Sequence, residues 1–335
     1  VDLIHAGSSI AEIAFIRDLV KFDAQISQAL TATITDNSWE LVIGDDAWDE
    51  DPINIGDYVY VPATEYGGPV EYVKHDTSQK QVSVGGVTWR GMLARKIIIP
   101  ASGASYVTIA GVEANAAIGT LIGTELGSVI SVSAAASGIT ITSKAFRYAN
   151  LLTGIEDMLA DEGAALQIVF SQALKKAVLS ARAIVDYSAT IDLSQDYGIN
   201  LISQDGRIDA YNHVIALGAG ELLDRDIVHV YRNTDGTYTT SEPAWAGTAA
   251  DKQIVYDYTN PESVADLQDK ATKKLGAYAV TQSMTIDPSD AGLDLLLGDI
   301  VGARDRITGL TATATVIGKI LTMDDIGIRI DTNVG

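Results

Sequence analysis

The sequence predicts a β-rich α+β protein in which a small antiparallel β unit at each end encloses a different, α+β module. Three observations lead there. A Gly-Asp pair followed by an apolar β-type run occurs twice, as Gly56-Asp57-Tyr58-Val59 and as Gly298-Asp299-Ile300-Val301. Apolar and polar residues alternate with period two over long stretches. Helical i, i+3, i+4 stripes are confined to a few places between the ends.

Each Gly-Asp supplies a residue free to take positive φ and a carboxylate that bonds nearby backbone N–H groups, so each reads as a tight lead into a strand. The segments after the two turns are also alike. The first copy continues with β-type segments at 70–73 and 81–84, the second with 313–321 and 326–330. Turn and strand order together read as a duplication. The alternative is two unrelated hairpins with a common turn.

In chain order, Phe22, Ala24, Ile26, Leu30, Ala32 and Ile34 alternate with polar residues and predict half-buried strands, and 39–43 predicts the next. The acidic run 45–52 brings carboxylates together as a hard cation requires, but it lacks the spaced ligands and central Gly of a calcium loop. It is expected to be a solvated surface loop. Strands resume as far as 97–99, where Pro100 and Gly103 close a first domain.

Between 105 and 186 the pattern changes. Ala114, Ala117, Ile118, Leu121 and Ile122 recur at helical spacing, and 129–134 and 139–141 read as short strands. Tyr148, Leu151, Leu152, Ile155, Met158 and Leu159 form an amphipathic stripe, with Ser143 as the expected N-cap and Gly163 as the stop. Strands come next at 166–170 and 177–185. Beyond Tyr187 the β pattern returns at 191–193, 199–202, 214–217 and 227–231, with a turn at 233–236 and a return strand from Tyr238. Asn260-Pro261-Glu262 opens a further helix whose stripe is Val264, Leu267, Ala271 and Leu275, with Lys270, Lys273 and Lys274 near its end and Gly276 stopping it. A strand at 278–286 and a turn at 287–290 lead to the second Gly-Asp unit. The expected domains are a first β unit at 1–100, an α+β domain at 101–186, a mixed β domain with one helix (261–275) at 187–286, and a second β unit at 287–335 completed by strands from 187–235.

At 335 residues and 35.4 kDa, with 47% hydrophobic residues and a mean hydropathy of +0.15, the chain can build two or three cores. It contains no cysteine, which removes disulfides, thiolate metal sites and cysteine nucleophiles together. Residues 1–4 do not start a signal peptide, and the most apolar stretch, 126–142, is broken by Ser and Gly, so a soluble protein with no membrane span is expected. The net charge of −21, from 44 acidic against 23 basic residues, repels nucleic-acid phosphate. The same repulsion suits a conduit to whose wall DNA does not adhere.

His5, His75, His213 and His229 show no zinc spacing and read as structural. There is no Gly-x-Ser-x-Gly elbow, phosphate loop or dinucleotide fingerprint. Gly218-Ala219-Gly220-Glu221 lacks the third Gly of a phosphate cradle and reads as a β-turn, with Arg225 pairing to a nearby carboxylate. No catalytic residue, cofactor or metal ligand is expected. The residues singled out are the structural turns Gly56, Asp57, Gly298 and Asp299.

Ile55-Gly56-Asp57-Tyr58-Val59, Gly67-Gly68-Pro69-Val70-Glu71-Tyr72-Val73 and Val84-Gly85-Gly86-Val87-Thr88-Trp89-Arg90-Gly91-Met92-Leu93 resemble the first domain of siphophage tail-tip hub, or tail-associated, proteins. Asn212-His213-Val214-Ile215-Ala216-Leu217-Gly218-Ala219-Gly220-Glu221 and Leu297-Gly298-Asp299-Ile300-Val301-Gly302-Ala303-Arg304-Asp305 resemble the same group, whose fold is like that of contractile-phage baseplate hubs. The resemblance implies two related small β-barrel domains flanking α+β domains, and a homotrimer whose barrels form a ring matched to a sixfold tail tube. It implies a virion structural protein of the tail tip, made in the host bacterial cytoplasm. The implied neighbours are the distal tail protein and the tape measure or tail tube protein, with DNA passing through the channel unbound during ejection. Two other classes remain open: a peptidoglycan or carbohydrate-active tail hydrolase, which needs a cleft of convergent titratable groups, and a sugar-binding adhesin, which would expose Trp39, Trp48, Trp89 or Trp245.

Overall fold

The structure, a computed structural model, describes residues 2–28, 34–50, 52–123, 126–190, 192–194, 201–205, 210–258, 261, 263–278, 282–286, 294–309 and 311–334. The chain divides into two compact units, Val1–Leu201 with Thr285–Arg306 and Thr313–Gly335, and Ile202–Met284 with Ile307–Ala312.

The first hundred residues form β1 (Leu3–Ala6), β2 (Glu12–Ile16), β3 (Leu19–Ser27), β4 (Ser38–Gly44), α1 (Asp45–Glu50), β5 (Tyr58–Tyr60), β6 (Gly67–Pro69), β7 (Tyr72–Asp76), β8 (Gln81–Val87), α2 (Trp89–Ala94) and β9 (Ile97–Ile98). Next come β10 (Val107–Glu113), α3 (Ala114–Ile122), β11 (Ile130–Val132), β12 (Thr140–Phe146), β13 (Ala149–Asn150), α4 (Leu151–Ala160), β14 (Ala164–Ser171), β15 (Lys176–Ala183), β16 (Asp192–Ser194) and β17 (Leu201–Asp205). The remainder is β18 (His213–Leu217), β19 (Ile227–Arg232), β20 (Tyr238–Thr239), β21 (Gln253–Asp257), α5 (Val264–Ala277), β22 (Gln282–Ile286), β23 (Ile300–Arg304), β24 (Thr311–Asp324) and β25 (Ile328–Val334).

The architecture is β-rich α+β. In the first unit an eight-stranded sheet runs β16-β23-β24-β3-β4-β8-β7, with β25 also paired to β24, and a four-stranded sheet runs β2-β1-β5-β6. The alternation that predicts β3 and β4 buries Phe22, Ala24 and Ile26 on one strand and Trp39, Leu41 and Ile43 on the next. The helices α3 and α4 lie with β10-β12 and β11-β15-β14 over a continuous apolar core that includes Trp89, Ile118, Leu152, Ile155, Met158 and Phe170. In the second unit the sheet β20-β19-β18-β21 packs Val214, Ala216 and Val230 against Leu267, Ala271 and Leu275 of α5.

The expectation of two separate closed β units at the ends meets a different arrangement. Among the described residues no sheet closes on itself, and the two ends share the large sheet, because β24 pairs with β3 from Gly318↔Ser27 to Asp324↔Lys21. Strands from 187–235 divide: β16 joins β23 in parallel, whereas β18 and β19 belong to the second unit.

Local corrections have local causes. The acidic run forms α1, with Asp45 and Asp46 in its first turn, where a carboxylate suits the positive end of the backbone dipole. Residues 89–94, expected to continue the strands, form α2, because Thr88 Oγ1 accepts from Gly91 N–H and caps it. Ser143 lies within β12, opposite Ala110, and Asn150 caps α4 instead, its Oδ1 accepting from Thr153 N–H at 3.2 Å. Ser263 caps α5 through Asp266 N–H at 3.1 Å, and the helix passes Gly276 to end at Ala277. Asn260 and Glu262 lie outside the described residues, as do Leu30, Ala32, residues 199–200 and the turn at 287–290. Among the described residues no helix is long and apolar enough to cross a membrane.

Candidate functional site

The two Gly-Asp pairs sit at turns that repeat each other bond for bond. Gly56 has φ +94° and Gly298 φ +93°, left-handed values that a Cβ opposes. Asp57 N–H donates to Asn54 O and Asp299 N–H to Leu296 O, both at 3.0 Å. Each carboxylate returns a bond, Asp57 Oδ2 accepting from Asn54 N–H at 2.8 Å and Asp299 Oδ2 from Leu296 N–H at 2.9 Å. Across the first turn, Gly56 N–H donates to Val70 O at 2.9 Å and Val70 N–H to Asp57 O at 2.8 Å. Across the second, Gly298 N–H donates to Val316 O and Val316 N–H to Asp299 O, both at 2.8 Å. β5 starts one residue after Asp57, and β23 one residue after Asp299.

The side-chain partners differ. Asp57 Oδ2 lies 3.1 Å from His5 Nε2 on β1. Asp299 Oδ1 accepts from an Arg182 guanidinium nitrogen at 2.7 Å and from Val185 N–H at 3.1 Å, and Arg182 also donates to Leu297 O at 2.6 Å. Beside this second turn, Lys319 Nζ donates to Leu295 O at 2.6 Å, and burial pushes the ammonium below the usual lysine range against the pull of Asp294, Asp299 and Glu65. Both aspartates are thus committed to holding backbone and neighbouring strands, a structural arrangement.

Three further clusters escaped sequence reading because their members are distant in the chain. Arg90, buried on α2, donates to Glu65 Oε1 at 2.5 Å, Glu65 Oε2 at 3.2 Å and Leu166 O at 3.1 Å, and also pairs with Glu156. Burial alone would lower its pKa, but the two glutamates hold it above the usual value, so the ion pair joins α2, α4 and β14 as a charged strut. In the second unit, His213 Nδ1 lies 2.9 Å from Asp251 Oδ1, and His213 Nε2 lies 2.9 Å from His229 Nδ1. Burial would raise the Asp251 carboxyl, yet bonds from Gly247 N–H, Gln253 and His213 hold it below the usual carboxylate range. The third is a groove of about 680 Å3 over the polar face of the large sheet. Its charges are mutually satisfied: Lys21 with Asp23 at 2.5 Å, Arg329 with Asp331 at 3.0 Å, Arg95 with Glu71, and Tyr72 donating to Glu40 at 3.0 Å.

As the turn reading expects, Arg225 braces its loop, donating to Gly218 O at 3.1 Å and Asp257 at 2.5 Å. Of the tryptophans an adhesin would expose, Trp39 and Trp89 are buried, and Trp48 and Trp245 are half-buried. Among the described residues no group of three His, Cys, Asp or Glu side chains is placed to hold a metal ion.

A family model described as Siphovirus ReqiPepy6 Gp37-like protein matches residues 59–335. No curated protein is significantly similar in sequence. Among solved structures, the prophage MuSo2 43 kDa tail protein from Shewanella oneidensis superposes with a TM-score of 0.58 at 12% identity, covering 100% of this chain and 98% of that one. The tail protein from Neisseria meningitidis MC58 gives 0.53 at 12% identity, covering 99% and 95%. Prophage tail protein gp18 from Listeria monocytogenes EGD-e gives 0.53 at 12%, covering 100% and 94%. At such identities the likeness is one of fold.

Proposed function

Because the chain belongs to the family of siphovirus ReqiPepy6 Gp37-like proteins, we propose that it is a structural hub of a phage or prophage tail tip. Three copies form a ring on the tail axis, next to the distal tail protein and the tape measure or tail tube protein, and DNA leaves through the channel they surround. The observation that carries this reading is the repeated turn. A motif reproduced in φ, in four backbone and carboxylate bonds, and in the strand after it supports duplication, and three duplicated subunits present six similar elements to a sixfold tube.

In this reading each turn heads one of two related β-barrel-type units that share the large sheet, and the divisions at 1–100, 101–186, 187–286 and 287–335 follow from it. The net charge of −21 suits a bore that does not adsorb DNA. No enzymatic step is assigned, since the carboxylates of the groove and the turns are engaged with cations, hydroxyls or backbone. Imaging of the intact particle tests the proposal. Three copies around the axis at the tail tip are expected, and a single copy or an off-axis position overturns it.

A further inference from the structure

Two strands at the margin of the large sheet, β7 and β25, each have a strand partner on one side only among the described residues, β8 and β24 respectively. One cross-strand row ties the two edges: Tyr72 to Gly85, Gly85 to Glu40, Glu40 to Asp23, Asp23 to Thr322, and Thr322 to Arg329. Residues in a row share a face, so Tyr72, Lys74 and Asp76 lie on the same polar face as Arg329, Asp331 and Asn333. The hydrogen-bond phase is set where Asp324 and Gly327 exchange both backbone bonds, at 3.0 and 3.2 Å. Alternation from that pair turns 329, 331 and 333 toward β24 and leaves the backbone groups of Ile328, Ile330 and Thr332 facing outward. Carried along the row, the same alternation leaves those of Val73 and His75 facing outward on β7.

We infer that β25 of one copy of this chain adds to β7 of the next, antiparallel, in the register that sets Lys74 opposite Asp331 and Asp76 opposite Arg329. In this register Val73 meets Thr332 and His75 meets Ile330, so outward backbone groups face outward backbone groups. Sliding by two residues one way brings Lys74 against Arg329, and the other way brings Asp76 against Asp331, both repulsive. Sliding by one residue turns a polar face onto a core face. The six strands β25-β24-β3-β4-β8-β7 are an even number, so the up-down alternation continues from copy to copy. Val73, Ile328 and Ile330, on the core face yet 38%, 51% and 42% exposed, are covered by the added strand. An unpaired edge otherwise invites non-specific pairing, and charge matching makes this pairing selective. The two edges differ, so the contact is head-to-tail and closes only as a ring. The inference rests on the ring proposed above and names the edges that form it.

The 335 residues contain no cysteine, so introduced thiols are the only ones present. Lys74 and Asp331 would form a non-hydrogen-bonded pair, whose Cα separation of about 4.5 Å suits a disulfide. The Lys74→Cys chain mixed with the Asp331→Cys chain under mild oxidation is expected to give a disulfide dimer, and Lys74→Cys mixed with Arg329→Cys about tenfold less, because two residues of register separate them. Lys74→Asp should weaken association in sedimentation by about fivefold, and Asp331→Lys in the same chain should restore it. An assembly of several copies by mass with no Lys74–Asp331 disulfide overturns the edge pairing and leaves the ring. A chain that stays single at every concentration, without the disulfide, overturns the edge pairing, while imaging of the particle separately decides the ring.

Discussion

The two Gly-Asp turns share a backbone and differ in what surrounds it. The first lies in the four-stranded sheet, where β5 runs antiparallel to β1 and Asp57 meets a histidine. The second is joined to the α+β layer: Arg182 of β15 and Val185 N–H converge on Asp299, Tyr187 N–H donates to Ile300 O at 2.8 Å, and β23 runs parallel to β16. Backbone geometry is the same in both copies because glycine and the aspartate carboxylate satisfy it locally. The neighbours differ because they are set by packing elsewhere. The difference teaches that a recurring turn can keep its backbone while one instance is a sheet corner and the other a joint between layers.

Removing the carboxylates exposes this contrast most strongly. Asp299→Ala strips three hydrogen bonds from a residue 1% exposed and leaves Arg182 with an unpaired charge, a loss of about 3–5 kcal/mol. Asp57→Ala removes the bond to Asn54 N–H and the contact with His5, a loss of about 1–3 kcal/mol. Denaturant unfolding of the two variants against the parent checks the ranking. Equal losses would mean that the turn, not its neighbours, holds the stability.

The glycines sharpen the comparison at smaller scale. A Cβ on Gly56 meets nothing within 4 Å, so Gly56→Ala carries only the positive-φ strain, about 1 kcal/mol. A Cβ on Gly298 lies 2.8 Å from Ala165 Cβ and 3.3 Å from Gln28 Nε2, and this crowding adds about 1–3 kcal/mol. Thermal unfolding should therefore place Gly298→Ala below Gly56→Ala. The reverse order would show that the second turn yields more readily than its contacts imply.

The turns were legible in the sequence because Gly and Asp act within three residues of themselves, and β3 and β4 because alternation reports burial on one strand at a time. Pairing between strands is another matter. Thr322 reaches Asp23 at 2.8 Å across 299 positions, and nothing local to either residue announces that the two ends of the chain share one sheet. Arg90 looked like one charge in a Trp-Arg-Gly string, while Glu65 and Glu156 lie 25 and 66 residues away. Short helices failed for the opposite reason. The six residues of α1 and of α2 are too few to display a stripe, and only a cap at Thr88 distinguishes α2 from a strand. The His213–His229 contact joins neighbouring strands diagonally, since Ile215, not His213, stands opposite His229.

The smallest expected difference between the turns is their response to pH. Lys319 is buried beside the second, its ammonium bonded to Leu295 O, whereas the first has His5 at the equivalent carboxylate. Burial lowers the Lys319 pKa from the ordinary 10.5, so between the native value and 10.5 the folded chain binds fewer protons than the unfolded one. Stability contributed at this site therefore rises with pH through that window, because the side chain escapes the cost of burying its charge. Lys319→Met keeps most of the side-chain volume and removes the titrating group. In urea unfolding at steps from neutral to alkaline pH, the parent should gain steadily on the variant, and subtracting the two curves cancels every other titrating group. A flat difference would mean that Asp294, Asp299 and Glu65 keep the lysine charged throughout, which would make the second turn an ion-pair cluster instead of a joint carrying a poorly solvated cation.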